Sequence, residues 1–224
     1  MTEEFDYIIV GAGTAGCVLA NRLTEDGKYS VLLLEAGGSD RSIWIQMPIG
    51  YGRTFFDKRI NWMYDTEAVP GLNGRSSYWP RGKVVGGSGS INAMVYVRGQ
   101  PRDFDDWKAL GNEGWGWEDV LPYFRKAEDN DTFDNRYHGK GGPLGVSQPR
   151  APLPICEAYF AAAAELGIPR NHDMTGAEQD GVGFHGQLQG VLGQRVAVRV
   201  KRGAAHLGFV QLERQVQHLQ HLDR

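Results

Sequence analysis

YIIVGAGTAGCVLANRLTEDGKYSVLLLE, residues 7–35, is the stretch that decides the fold. Tyr7, Ile8, Ile9 and Val10 form a short apolar run of the kind a buried parallel strand uses, and it stops on Gly11-Ala12-Gly13-Thr14-Ala15-Gly16. From residue 14 to about residue 24 the apolar positions Cys17, Val18, Ala20 and Leu23 recur every three or four, which predicts a helix with one inward face, and Gly27 is a natural stop. Val31, Leu32, Leu33 and Leu34 then repeat the strand pattern and end on Glu35, an acid about 20 residues beyond the glycines. Strand, glycine turn, helix, strand and acid together are the dinucleotide-binding fingerprint in its required context.

The glycines carry separable duties. Gly11 permits a sharp turn, Gly13 a close approach of backbone to a pyrophosphate, and Gly16 tight helix–strand packing. The first amides of the helix and its positive dipole end suit the phosphates, and the Glu35 carboxylate suits a ribose diol while repelling a 2′-phosphate. This unit by itself leaves FAD and NAD both open.

Composition narrows the surroundings. A net charge of −3 gives no reason to expect nucleic acid or an anionic membrane as a general partner. No run approaches the ~20 apolar residues that span a bilayer. The acidic start MTEEFDYIIV enters the first strand at once, so a cytoplasmic location is expected. Cys17 and Cys156 lie far apart with no ligand spacing near either; neither a disulfide nor a metal site is expected.

After Ala36-Gly37-Gly38, residues 39–80 are rich in aromatics and poor in periodicity, which predicts a long excursion packed on the nucleotide domain, its rings serving as core or cover. A second glycine concentration follows in RGKVVGGSGSINAMVYVRG, residues 81–99. Its backbone can approach a flat or anionic ligand and offer it several amides. One bound dinucleotide needs only one such loop for its phosphates; a flavin, held by backbone far from its adenine, would use both. An NAD-linked reading therefore leaves the second loop without a purpose.

The order Gly11 through Gly16, Glu35-Ala36-Gly37, Asn61-Trp62, Pro80-Arg81-Gly82-Lys83, Gly86 through Asn92, Tyr96-Val97-Arg98-Gly99 and Gly114-Trp115-Gly116-Trp117 resembles the N-terminal half of the glucose-methanol-choline oxidoreductases, most of all their choline and alcohol dehydrogenase branch. The likeness runs from about Phe5 to Phe184. It implies an α/β fold: a Rossmann-like FAD-binding domain at 1–135, the beginning of a substrate-binding α+β domain at 136–185, and a tail at 186–224, incomplete relative to the family. It also implies roles. Gly11, Gly13, Thr14, Ala15 and Gly16 would take the FAD pyrophosphate, and Glu35 with Ala36 the adenosine ribose. Arg81 and Val84 would lie along the cofactor beside the Gly86-Gly87 loop, and Asn92, Ala93, Met94 and Val95 would line the flavin. Some members attach the flavin through a histidine where this chain has Ile91, so FAD is expected to be non-covalent.

Further along, a short helix capped by Asp103, a second over 117–126, a strand at Val146-Ser147 and an alanine-rich helix ended by Gly167 are expected. Asp105-Asp106 and the acidic run 128–131 read as solvated faces. His138, in YHGKGGPL, reads as a structural histidine on a surface turn. Past Phe184 the likeness ends. The family's C-terminal catalytic histidine has no counterpart, and His218 and His221 match no motif. The tail alternates like a strand at 196–200 and shows helical spacing from Phe209 to Leu219. A divergent terminus, a shifted reading frame and one piece of a split protein are three accounts of it, with the shifted or truncated frame preferred. The expected activity is oxidation of an alcohol CH–OH group by hydride transfer to FAD, with an unidentified electron acceptor and a complementing chain as a further partner. The alternative is an inactive nucleotide-binding remnant.

Overall fold

The computed structural model describes residues 4–188 and the backbone of 205–208. The expected strand at 196–200 and the helix beginning at Phe209 lie outside the described residues. The described residues form two compact units, one of residues 4–93 with 205–208, the other of residues 94–188. This division falls earlier than the change of domain read from the sequence near residue 135.

In the first unit, β1 (Tyr7–Val10), α1 (Thr14–Leu23) and β2 (Val31–Leu34) form the expected strand–helix–strand. A later strand, numbered β9 below (Ala205–Gly208), joins them in a parallel sheet of order β1-β2-β9. Tyr7 pairs with Val31 and Val10 with Leu34, so the two strands end level and deliver Gly11 and Glu35 to one edge. Val31 and Leu33 alternate inward and join Ile9, Ala12, Cys17 and Ala20 in a core beneath α1. Ile8 and Val10 are 63% and 78% exposed, against the expectation of a strand buried throughout. The reason is local: α1 covers one face of the sheet, and only the residue of β1 turned toward it, Ile9, is buried.

The excursion contains α2 (Ile43–Gln46), α3 (Tyr51–Thr54) and an antiparallel pair, β3 (Tyr64–Asp65) with β4 (Tyr78–Trp79). Ile45, Val84 and Ile91 bury together, with Ile60 packed against them. The aromatics are less enclosed than predicted. Phe56, Trp62, Tyr64 and Trp79 stay exposed; Trp62 stacks on Tyr64, Phe56 stacks on Tyr78, and Trp79 lies against the Arg81 guanidinium.

The second unit contains β5 (Val95–Tyr96), α4 (Pro101–Ala109), α5 (Trp117–Ala127), β6 (Glu128–Asn130), β7 (Leu144–Ser147), α6 (Pro154–Glu165) and β8 (Gly186–Leu188). Its mixed sheet runs β5-β8-β7-β6, with β6 and β7 parallel. Asp103 and Asp119 each accept a hydrogen bond from the backbone N–H of the residue three positions before, at the starts of α4 and α5. Phe104 on α4 lies against Trp117 and Phe124 on α5. At the end of α6, Gly167 has φ +74°, its N–H donates to Ala164, and that of Ile168 reaches back to Ala163, a Schellman closure that stops the helix where expected.

Candidate cofactor site

The site grows from the level ends of β1 and β2. Gly11 turns with φ +97°, a conformation other residues rarely adopt, and its N–H donates to Leu34 at 2.7 Å. A Cβ on Gly16 would lie 1.9 Å from the Gly11 carbonyl oxygen, so α1 can approach the turn only with glycine there. Gly13 differs, since a Cβ there would meet nothing within 4 Å. Its missing side chain answers to no protein neighbour; it leaves open space beside the start of α1. No side chain caps that helix and its first turn holds no acid. Ten residues of helix thus present their positive end to open space, flanked by exposed Thr14 and Ala15. The arrangement fits an anionic phosphate group.

Glu35 is 8% exposed. One of its oxygens accepts the Ala12 N–H at 2.7 Å and the other the Gly37 N–H at 2.8 Å. Each carboxylate oxygen can accept twice, so capacity remains for a ribose diol beside half-buried Ala36. Holding two backbone amides is a duty that the sequence reading did not foresee.

The second loop touches the first. The Gly86 N–H donates to the Ala12 carbonyl at 2.7 Å, and Gly86 forms a parallel bridge with Gly13. A Cβ on Gly87 would come within 2.9 Å of the Gly13 Cα. Behind them, the Val85 N–H bonds to Gly38, while a Cβ on Gly37 would strike the Lys83 carbonyl at 2.1 Å. Two glycine-rich segments some seventy residues apart in sequence thus form one layer of backbone. Gly37 and Gly38, which the sequence places directly after Glu35, belong to the same layer; their contact with the second loop is what sequence reasoning did not foresee.

The other predicted residues have varied surroundings. Val84 is fully buried, so only its backbone faces the loop junction. Arg81 is exposed, with its guanidinium 5.0 Å from the Trp79 ring. Asn61 is 2% exposed; its side-chain oxygen accepts the Met63 and Arg81 amides and its nitrogen donates to Phe55, which ties the excursion to the entry of the second loop. Ser88 accepts from the Gly82 N–H and Ser90 donates to Val85, so both hydroxyls brace the loop from within. Asn92 and Ala93 follow this loop, exposed. Met94 and Val95 open the second unit, where the Met94 carbonyl accepts the Leu188 N–H and Val95 pairs with Gln187.

That second unit contains a charged cluster which sequence reasoning misplaced. His138, expected on a surface turn, is 3% exposed, and Glu128, expected on a solvated face, is 0%. Arg98 donates to Glu128 at 2.7 Å; His138 Nδ1 lies 3.1 Å from Glu128 and Nε2 lies 3.0 Å from Asp173. Glu128 also accepts the Gly139 N–H at 2.8 Å. Burial works against charge on His138, but the bonds and charges of Asp173 and Glu128 outweigh it and push its pKa up to about 8. Burial likewise opposes charge on Glu128 and Asp173, and their hydrogen bonds, led by those with His138, hold both below the usual carboxylate range. Two cations face two anions, an arrangement that neutralises itself and fastens the Tyr137–His138 turn to its neighbours. The structural role expected for His138 accords with this; its expected exposure does not. Among the described residues no group of His, Cys, Asp and Glu is placed to hold a metal ion. No helix among them is long and apolar enough to cross a membrane.

Known proteins share this arrangement. An oxygen-dependent choline dehydrogenase of Vibrio vulnificus is 48% identical over 185 residues, which cover 82% of this chain and 33% of that protein. Pyridoxine 4-oxidase from Mesorbium loti superposes with a TM-score of 0.81 at 35% identity, over 91% of this chain and 42% of its own. An FAD-dependent oxidoreductase from Chaetomium thermophilum superposes with a TM-score of 0.74 at 36% identity, over 82% of this chain and 33% of its own. This chain therefore spans about a third of the length of the curated relative. The sequence profile described as GMC oxidoreductase matches residues 5–212, nearly the whole chain, and the protein belongs to the GMC oxidoreductase family.

Proposed function

We propose that this chain holds FAD non-covalently for a dehydrogenase that oxidises the CH–OH group of choline or a related alcohol. The observation that carries the reading is the junction of the two glycine loops, the Gly86 N–H on the Ala12 carbonyl and the bridge from Gly13 to Gly86. A single phosphate-binding turn has no need of that second layer; a cofactor with both an ADP end and a flat redox ring does. The names of related proteins support the choice of cofactor and substrate.

In this reading Gly11, Gly13, Thr14, Ala15 and Gly16 hold the pyrophosphate with backbone amides and the helix dipole. Glu35 and Ala36 meet the adenosine ribose, and the Glu35 charge rejects a 2′-phosphate. Arg81, Val84, Gly86 and Gly87 lie along the cofactor; Asn92, Ala93, Met94 and Val95 line its ring. Bound FAD would supply the hydride acceptor for the carbinol carbon. Ile91, 3% exposed, has no nucleophile with which to attach a flavin. The hydroxyl proton needs a base, and no residue of this chain is assigned that role; we propose that it comes from polypeptide beyond this sequence, on a complementing chain. The electron acceptor is not assigned. The two free cysteines suit the reducing cytoplasm in which we place the protein. The domain limits at 135 and 185 belong to the same proposal.

The test is a flavin titration of the purified 224-residue protein, followed by anaerobic addition of choline with and without the remaining segment of a family member supplied as a second chain. Retained flavin absorbance that choline bleaches when the second chain is present supports the reading. A protein that takes up no FAD, or holds it unreduced in the completed complex, overturns it.

A further inference from the structure

Ala12 is fully buried and anchored on both sides. Its N–H donates to Glu35 at 2.7 Å, and its carbonyl accepts both the Gly86 N–H at 2.7 Å and the Cys17 thiol at 3.2 Å. Between the carboxylate and the second loop there is thus one residue of backbone. Gly86, in the left-handed region at φ +91°, is the hinge of that loop, and the short helical turn Gly87–Ser90 follows it directly. The second oxygen of Glu35 holds Gly37 at 2.8 Å, one residue before the Gly38 carbonyl that accepts the Val85 N–H. One carboxylate therefore reaches the second loop along two routes, through Ala12 to Gly86 and through Gly37–Gly38 to Val85.

We propose that Glu35 is the positioning residue of the second glycine loop, setting residues 85–90 in place before any dinucleotide arrives. The energetic argument lies in the acceptor. A carboxylate accepts both amides at once with charge-assisted bonds, which are stronger than neutral ones, and Ala12 has no water to turn to if its partner is lost. A glutamine in its place has one oxygen for two donors, and its NH2 group would then face an N–H. Whichever amide is abandoned, one of the two routes to the second loop is cut. The consequence for the proposed cofactor, which rests on the FAD reading, is that the residue nearest the adenosine end also shapes the backbone assigned to the flavin end.

The experiment is residue-resolved amide hydrogen exchange on the whole chain without FAD, comparing wild type with Glu35→Gln. Exchange is expected to accelerate about tenfold or more at Ala12 or Gly37 and, with it, at Gly86 or Val85, while the helix Trp117–Ala127 keeps its wild-type rates. Should Glu35→Gln lose its fold by circular dichroism, Glu35→Asp replaces it: the charge is kept but the side chain is shorter by one carbon, too short to serve both amides, and the same acceleration is expected. Unchanged exchange at Gly86 and Val85 in a folded variant overturns the proposal, whatever happens at Ala12 and Gly37. Because no cofactor is present, a failed flavin titration would remove the FAD reading and leave this result standing.

Discussion

At the scale of single residues, the second unit shows how little a side chain's neighbours in sequence reveal about its surroundings. Glu128 sits in the run Glu128-Asp129-Asn130-Asp131, whose composition reads as solvated, and His138 lies among glycines that read as a turn. Their partners are Arg98, 30 positions before Glu128, and Asp173, 35 positions after His138. Nothing periodic links such positions, so their pairing is invisible until the chain is folded. The histidine makes a pH-dependent contribution whose sign follows from its raised pKa. Its ordinary value is 6.5 and its folded value about 8, so the stabilisation is fully present below 6.5, declines as pH rises through 8, and is absent above. The difference corresponds to about 2 kcal/mol. Unfolding of wild type followed from pH 6 to 9 should show that loss. His138→Asn, which cannot titrate, should be flat over the same range by comparison, and a parallel loss in both proteins would show that another group is responsible.

At the scale of elements, the first strand–helix–strand, the helices α4, α5 and α6 and the strand β7 were legible, because the signals that fix them are local, whereas α2, α3 and the short strands β3, β4, β6 and β8 are too brief to show a period. The run YIIV, the spacing Cys17-Ala20 and the run VLLL are contained in β1, α1 and β2, and Gly167 ends α6 through bonds that reach only a few residues back. What was not legible is which elements are held by charge. Strand β6 is one: Glu128 at its start binds Arg98, His138 and the Gly139 amide, and Asn130 at its end donates to Glu128. The strand is only three residues long and pairs on one side with β7, so this side chain is a second anchor beside the ladder. Glu128→Gln should therefore cost far more than an ordinary surface change. It keeps the shape but leaves the Arg98 guanidinium, whose side chain is 0% exposed, without a counter-charge. Breaking a buried pair from one side costs about 3–5 kcal/mol. Chemical denaturation should show a loss of that order, and a loss below about 1 kcal/mol would mean that β6 is held by its backbone pairing instead.

At the scale of the whole molecule, the two glycine loops were each legible, and the reason for having two was inferred from what a flavin needs. Their direct contact was not, since a hydrogen bond from Gly86 to Ala12 joins residues with no side chains capable of signalling it. That contact makes folding and ligand binding share one piece of backbone, which leads to a prediction about the molecule as a unit. A ligand that binds only the folded state adds RT ln(1 + [L]/Kd), about 2.7 kcal/mol at a hundredfold excess over Kd. For a chain of this size that is roughly 5–10 °C in unfolding temperature. FAD should produce such a rise, and ADP a smaller one in the same direction, because the pyrophosphate seat and Glu35 are available to both. NADP+ should produce none at equal concentration, because its 2′-phosphate meets a buried carboxylate already committed to two amides and unable to move aside without releasing them. A thermal-shift series with the three ligands distinguishes the possibilities: equal rises for FAD and NADP+ would mean that Glu35 does not face the ribose, while a rise for neither FAD nor ADP would mean that the open space at the start of α1 is not a phosphate seat.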